Sequence, residues 1–233
     1  MLMLRKASDR GVTKTAWLTS YHSFSFGDYR DPQFMNFGPL RVINDDFIAP
    51  DSGFPTHPHW NAEIISYVMA GNMTHRDSMG TEYTLAPGEF QAMTTGSGVT
   101  HSEYNASPDE AVRLIQIWLL PDQHGLPPQW TQQSFPSVKG LQLIAAPAKK
   151  AIDGVLPIHQ DARLYRLRLA AGDAISLSPA VDRQMYVHLL SGEARIAEQN
   201  LDEGDAAGFD QATDIQALQA IEALVFDLPH QGA

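Results

Sequence analysis

No cysteine occurs among the 233 residues. This removes disulfide staples and thiolate metal sites together, so any metal must rest on His, Asp and Glu. Basic residues are also scarce: 16 Lys and Arg stand against 27 Asp and Glu, a formal net charge of −11, and they form no basic run. Nucleic acids and anionic membranes reward clustered Lys and Arg, so neither is an expected partner. Long apolar runs are missing, since none approaches the roughly 20 residues of a membrane-spanning helix. The opening stretch through Arg5 and Lys6 lacks the apolar segment of a signal peptide, and a cytoplasmic location is the expectation.

What the chain does contain is turn formers and strand formers. Hydrophobic residues make up 43%, alongside 15 prolines and 17 glycines, a composition that suggests many short strands joined by turns rather than disorder. The length suffices for one large all-β domain or two small ones. Strand signals follow one another at Ile64 to Met69, Met73 to Arg76, Tyr83 to Leu85, Phe90 to Thr94 and Leu114 to Leu120, with turns at Ser78-Met-Gly80 and Ala86-Pro-Gly88. Residues 11 to 50 are rich in aromatics at irregular spacing, including Trp17, Tyr21, Phe24, Phe26 and Tyr29, and read as loops and short strands. His22 in this segment is expected first as a core histidine.

One stretch organises the rest: Gly53-Phe-Pro-Thr-His57-Pro-His59-Trp-Asn-Ala-Glu63, answered by His101-Ser-Glu103. Side chains two apart on a strand share a face, so His57, His59, Asn61 and Glu63 are expected to point one way, and His101 and Glu103 likewise. Five potential ligands, three imidazoles and two carboxylates, then converge. A lone His-x-His is usually a pair of ordinary histidines, because imidazole is the commonest metal ligand but also a routine residue. The second motif, placed behind the Gly96-Ser-Gly98 turn, shifts the balance to a divalent metal. His75, with no ligand partner two positions away, is expected to be structural or to line the cavity.

Residues 121 to 140 carry Pro121, Pro127, Pro128 and Pro136 and are expected to cross between domains rather than extend a sheet. Beyond them the pattern repeats. Tyr67-Val-Met-Ala-Gly71 is echoed by Tyr186-Val-His-Leu-Leu-Ser-Gly192, Leu85-Ala-Pro-Gly88-Glu89 by Leu201-Asp-Glu-Gly204-Asp205, and Gln116 to Pro121 by Val225 to Pro229. Echoes in the same order imply a duplicated unit, and the second copy lacks the His-x-His motif. The expected domains are 1–122 with the metal site, a crossing at 123–140, and 141–233 without metal ligands.

The patterns Gly-x3-His-x-His-x3-Glu-x7-Gly from Gly53 to Gly71 and Gly-x-Gly-x2-His-x3-Asn from Gly96 to Asn105 resemble the paired motifs of the cupin superfamily, a jelly-roll β-barrel fold with a metal inside. Trp17-Leu-x-Ser-x-His22-x-Phe-Ser-Phe, Tyr29-x-Asp-Pro, Leu40-Arg-Val-Ile-Asn-Asp45, Thr56-His-Pro-His59, Asp77-Ser-Met-Gly80 and Gly98-x-x-His-Ser-Glu103-Tyr-Asn105 are similar to the pirin family, and most so to its bacterial members with quercetin 2,3-dioxygenase activity. The resemblance implies an all-β chain of two jelly-roll (cupin) barrels, with one divalent cation in the N-terminal barrel on His57, His59, His101 and Glu103. Glu63 then stands beside the site rather than on the metal. The ligand set suits Fe(II), the expected occupant, and also Zn, Mn, Ni, Co or Cu. It further implies that a flavonol and dioxygen are the small-molecule partners, with Glu103 as the catalytic base accepting the flavonol hydroxyl proton and carbon monoxide released on ring cleavage. Family members that act as metal-dependent regulators without turnover supply one alternative, and a dioxygenase for another small aromatic substrate is the other. Trp60 stands where members often carry Lys or Arg, a departure that bears on substrate preference.

Overall fold

The computed structural model describes residues 2–150 and 152–230. It is almost entirely strand; the helical turns among the described residues are two short 3-10 turns, Ala7–Asp9 and Ala148–Lys150. No helix there is long and apolar enough to cross a membrane.

The strands form two seven-stranded and two four-stranded sheets, all antiparallel except for one parallel pair between Gly140–Pro147 and Leu156–Ile158. One sandwich packs a seven-stranded sheet, centred on Glu63–Ala70, Val112–Leu119 and Leu40–Ile48, against the four strands Ser52–His59, Val99–Asn105, Met73–Asp77 and Glu82–Leu85. The other packs the sheet centred on Arg183–Ser191 and Ile221–Pro229 against Ala174–Leu177, Thr213–Ala217, Ala194–Ile196 and Gln199–Leu201. The all-β jelly-roll expectation holds, with one refinement: each unit is a pair of separate sheets, not a closed barrel. Duplication is visible in strand order. Glu89–Thr94, Glu63–Ala70, Val112–Leu119 and Leu40–Ile48 lie side by side in the first large sheet, as Ala206–Phe209, Arg183–Ser191, Ile221–Pro229 and Arg163–Leu169 do in the second.

Burial follows from this layering. The Val99–Asn105 strand alternates, with Val99, His101, Glu103 and Asn105 buried and Thr100 and Tyr104 exposed, as a strand with one wet face must. Glu63–Ala70 and Leu40–Ile48 are buried almost continuously, because one face fills the sandwich and the other meets the second large sheet. That meeting is a single apolar cluster that joins Ile43, Ile65 and Ile117 to Ile144, Tyr186, Leu224 and Phe226. Polar ties flank it: the Tyr67 hydroxyl donates to Glu222 at 2.6 Å, and Arg113 pairs with Glu203 at 2.9 Å.

Two strands run against the sequence expectation. Gln129–Ser134 lies within the proline-rich stretch read as unable to extend a sheet, yet it pairs with Glu89–Thr94. It does so as an edge strand between Pro128 and Pro136, where proline's missing donor costs nothing. Leu2–Arg5, at the start of the chain, pairs with Ala206–Phe209 and so belongs to the second sheet.

Candidate metal centre

The histidine pair and the answering histidine lie on neighbouring strands, with His57 directly opposite His101. A bulge between His101 and Glu103 shifts the register by one residue on this side only. Gly53 makes the close approach possible: a Cβ there would lie 2.2 Å from the Glu103 carbonyl oxygen. At the preceding turn Gly98 adopts a φ of +130°, and the Trp60 indole packs where its side chain would be. Trp60, 61% exposed, thus covers the turn behind the site.

Three imidazoles meet here, with ring centroids 4.6 Å apart for His57 and His101, 4.7 Å for His57 and His59, and 4.9 Å for His59 and His101. One potential ligand atom from each lies within 4.8 Å of the others. A second set within the same limit joins His101 to Glu103 and His75. His101 is therefore shared by both groups. His57 gives its Nδ1 proton to the Pro55 carbonyl at 2.7 Å, which leaves Nε2 with a free lone pair. Both ring nitrogens of buried His101 lack a partner, an arrangement that costs free energy unless something else occupies the space. Burial, then the neighbouring imidazoles, push His59 down to about 4 and His101 to about 3. Both rings are neutral at physiological pH, the form that ligates metal. A convergent set of imidazole nitrogens, those of His101 unpartnered, beside a carboxylate fits a divalent cation.

Glu103 is held with unusual completeness. Its Oε1 accepts from the Ser66 hydroxyl at 3.2 Å and the Gln91 amide at 3.1 Å, and its Oε2 from the Gln116 amide at 2.7 Å. Each glutamine is itself oriented, because an indole N–H donates to its carbonyl oxygen: Trp130 to Gln91 at 2.8 Å and Trp118 to Gln116 at 3.1 Å. The amide nitrogens must then face the carboxylate. These holders were missed in the sequence. The available signal was polar residues at inward positions of apolar strands, Ser66 in Ile-Ile-Ser-Tyr-Val and Gln116 in Leu-Ile-Gln-Ile-Trp. His75 is buried, bonds Asp77 at 2.9 Å and stacks on Trp130; it lies close to His101 and Glu103 but is not among the residues that line the cavity.

Two models of known families match the chain: Pirin over residues 4–119 and the quercetinase C-terminal cupin domain over 143–228. The sequence is 43% identical to the quercetin 2,3-dioxygenase of Escherichia coli O157:H7, over 98% of this chain and 99% of that one. The chain belongs to the pirin family. Its fold superposes on the crystal structure of YhhW from Escherichia coli with a TM-score of 0.96 and 41% identity, covering both chains completely. The bacterial pirin YhhW in complex with nickel(II) gives 0.94 at 41% identity, with 99% of this chain and 100% of that chain covered. In this pirin the three imidazoles and Glu103 form a candidate centre for one divalent cation.

Glu63 departs from the strand-parity expectation. Asn61 takes a left-handed φ of +49° and ends the first strand at His59, so the alternation restarts at Glu63 out of phase with the histidines. The Glu63 carboxylate instead accepts from the Thr94 hydroxyl at 2.9 Å and the His159 backbone N–H at 3.0 Å, and burial pushes it up to about 7. It ties the first sandwich to the turn that follows Leu156–Ile158 of the second large sheet. Asn61 leaves the line of ligands for the same reason, and its side chain accepts the Gly125 N–H at 2.9 Å.

The pirin site opens into a cavity of about 280 Å³. Leu18, Phe26, Phe54 and Trp118 give it apolar walls, and a polar group from the aromatic segment and the next strand, Ser20, His22, Asn44 and Asp46, faces in as well. His22 is buried as expected, bonded to Asn44 at 2.7 Å and to Thr13 at 2.8 Å, and burial lowers its pKa.

Proposed function

We propose that this pirin is a metal-dependent dioxygenase that cleaves a flavonol such as quercetin and releases carbon monoxide. The observation that carries the reading is the pocket: a cavity of flat-ligand size with aromatic walls, into which His57, His59 and the triply held Glu103 all open. The relatives named quercetin 2,3-dioxygenase support it. In this reading His57, His59, His101 and Glu103 are the metal ligands, and Fe(II) is the occupant. When bound, such an ion supplies Lewis acidity toward a hydroxyl oxygen and a meeting place for dioxygen. The protein does the rest. Glu103 accepts the proton of the flavonol 3-hydroxyl at a carboxylate oxygen, while Ser66 and Gln91 on Oε1 and Gln116 on Oε2 fix the orientation of the carboxylate. Phe26, Phe54 and Trp118 hold the flat rings and exclude water from the reacting carbons.

The test is aerobic incubation of the metal-assayed protein with quercetin, following flavonol loss and carbon monoxide, beside the His57→Ala and His59→Ala single variants. Carbon monoxide release that needs both histidines is the expected result. Tightly bound metal without turnover of quercetin overturns the dioxygenase reading in favour of a metal-dependent regulator or another aromatic substrate.

A further inference from the structure

Glu103 is not the only carboxyl facing the cavity. Asp46 projects into it from the Leu40–Ile48 strand, 2% exposed and opposite Ser20 on one neighbouring strand and Leu114 on the other. The two acids are treated very differently. Glu103 receives three side-chain hydrogen bonds, whereas Asp46 has a hydrogen bond from Ser20 alone, and its Oδ1 is buried with no partner. A buried carboxyl oxygen left without a donor is costly, and in native proteins such an atom marks a strained or functional site. The surroundings do not explain it as core filler. The adjoining inward positions, Ser20, His22 and Asn44, are themselves polar and bonded to one another, with His22 to Asn44 at 2.7 Å and Ser20 to His22 at 3.4 Å. Together they make a polar wall on the cavity, separate from the histidine cluster. Burial pushes Asp46 up to about 7, so neutral and ionised forms coexist near neutral pH, and both keep an oxygen able to accept a hydrogen.

We propose that Asp46 is a substrate-recognition residue whose free Oδ1 accepts a hydrogen bond from a ligand hydroxyl remote from the one that reaches Glu103. The inference rests on the flavonol reading and deepens it: the preferred substrate is a polyhydroxylated flat aromatic, not merely one with the reacting hydroxyl. Discrimination of this kind is strong, because an analogue that lacks the hydroxyl leaves the buried oxygen unpaired.

The experiment compares quercetin with 3-hydroxyflavone, which keeps the 3-hydroxyl and 4-carbonyl but lacks every other hydroxyl. Dissociation constants are measured anaerobically on the metal-loaded full chain for the wild type, Asp46→Asn and Asp46→Leu, with metal content and melting temperature as controls. The wild type binds quercetin at least about tenfold more tightly than 3-hydroxyflavone. Asp46→Leu brings that ratio close to one by weakening quercetin alone with metal content unchanged, whereas the isosteric Asp46→Asn, which keeps a carbonyl oxygen able to accept, retains most of it. A wild-type ratio near one, or a ratio that survives in Asp46→Leu, overturns the role of Asp46; where Asp46→Leu does not fold, Asp46→Ala, measured in the same way, decides. Failure of the underlying reading looks different: neither compound binds the wild type and neither releases carbon monoxide.

Discussion

The two sandwiches share their strand order but not their filling. Inside the first, positions that face inward carry Ser66, Gln91, Gln116, Asn44 and Asp46 around His101 and Glu103, and a cavity remains. Inside the second, Leu167, Val187, Leu189, Ile196, Leu201, Phe209, Ile215 and Val225 pack into a continuous apolar cluster. The same scaffold therefore supports either a satisfied polar network or a dry core, and the chain uses one of each. The dry copy gains burial and stability; the wet one gives up burial for a site, holding Glu103 in a bonded network while the His101 nitrogens and Asp46 Oδ1 stay unpartnered.

The largest effect that sharpens this contrast is expected in the dry copy. Leu189→Ala, at a fully buried position, should destabilise the protein by about 2–5 kcal/mol, read by urea denaturation, while metal stoichiometry stays unchanged. Equal loss of metal and stability would break the separation of roles. Next comes the network of the wet copy. Gln116→Leu removes the 2.7 Å donor to Glu103 and leaves the Trp118 N–H unpaired; metal affinity should fall about 10–100-fold in a competition titration. A smaller change, within the first pH unit below 6.5, is expected from His188 in the second large sheet, which is fully buried with both ring nitrogens unpartnered and is pushed down to about 3, chiefly by burial. Folded, it refuses a proton that the unfolded chain accepts below the usual 6.5, so stability falls as pH drops from 6.5 toward 3. His188→Leu should lose that component, at most about 1.4 kcal/mol per pH unit, in denaturation midpoints compared across the range. Asp46 and Glu63, raised to about 7, act with the opposite sign, but equally in both proteins. The smallest effect belongs to Glu63→Gln, which should leave metal affinity within about threefold and cost about 1 kcal/mol or less. A large loss of metal there would return Glu63 to the metal's immediate surroundings.

These contrasts also show what was legible in the sequence. The His-x-His and His-x-Glu spacings sit within single strands, so alternation brought His57 and His59, and His101 and Glu103, each to one face without knowledge of the fold. Alternation failed across Asn61, because a single left-handed residue resets it and nothing in Trp-Asn-Ala marks the reset. The holders of Glu103 escaped because Gln91, Ser66 and Gln116 come from three different strands, and their convergence is set by sheet pairing rather than spacing. Gln129–Ser134 escaped because prolines exclude central strands but tolerate an edge. The echoes around Tyr67 and Tyr186 did announce the duplication, since both tyrosines belong to corresponding central strands.

The pairing of Leu2–Arg5 with Ala206–Phe209 has a consequence for folding. The two strands stand about 200 residues apart with the whole first sandwich between them, so their contact closes a very long loop, and contacts of that kind form slowly because closure entropy is spent before any bond is gained. The first sandwich can assemble while this strand is still unpaired. Its docking then clamps the two sheets together, so unfolding of the second sheet releases a strand that lies next to the first sandwich in sequence.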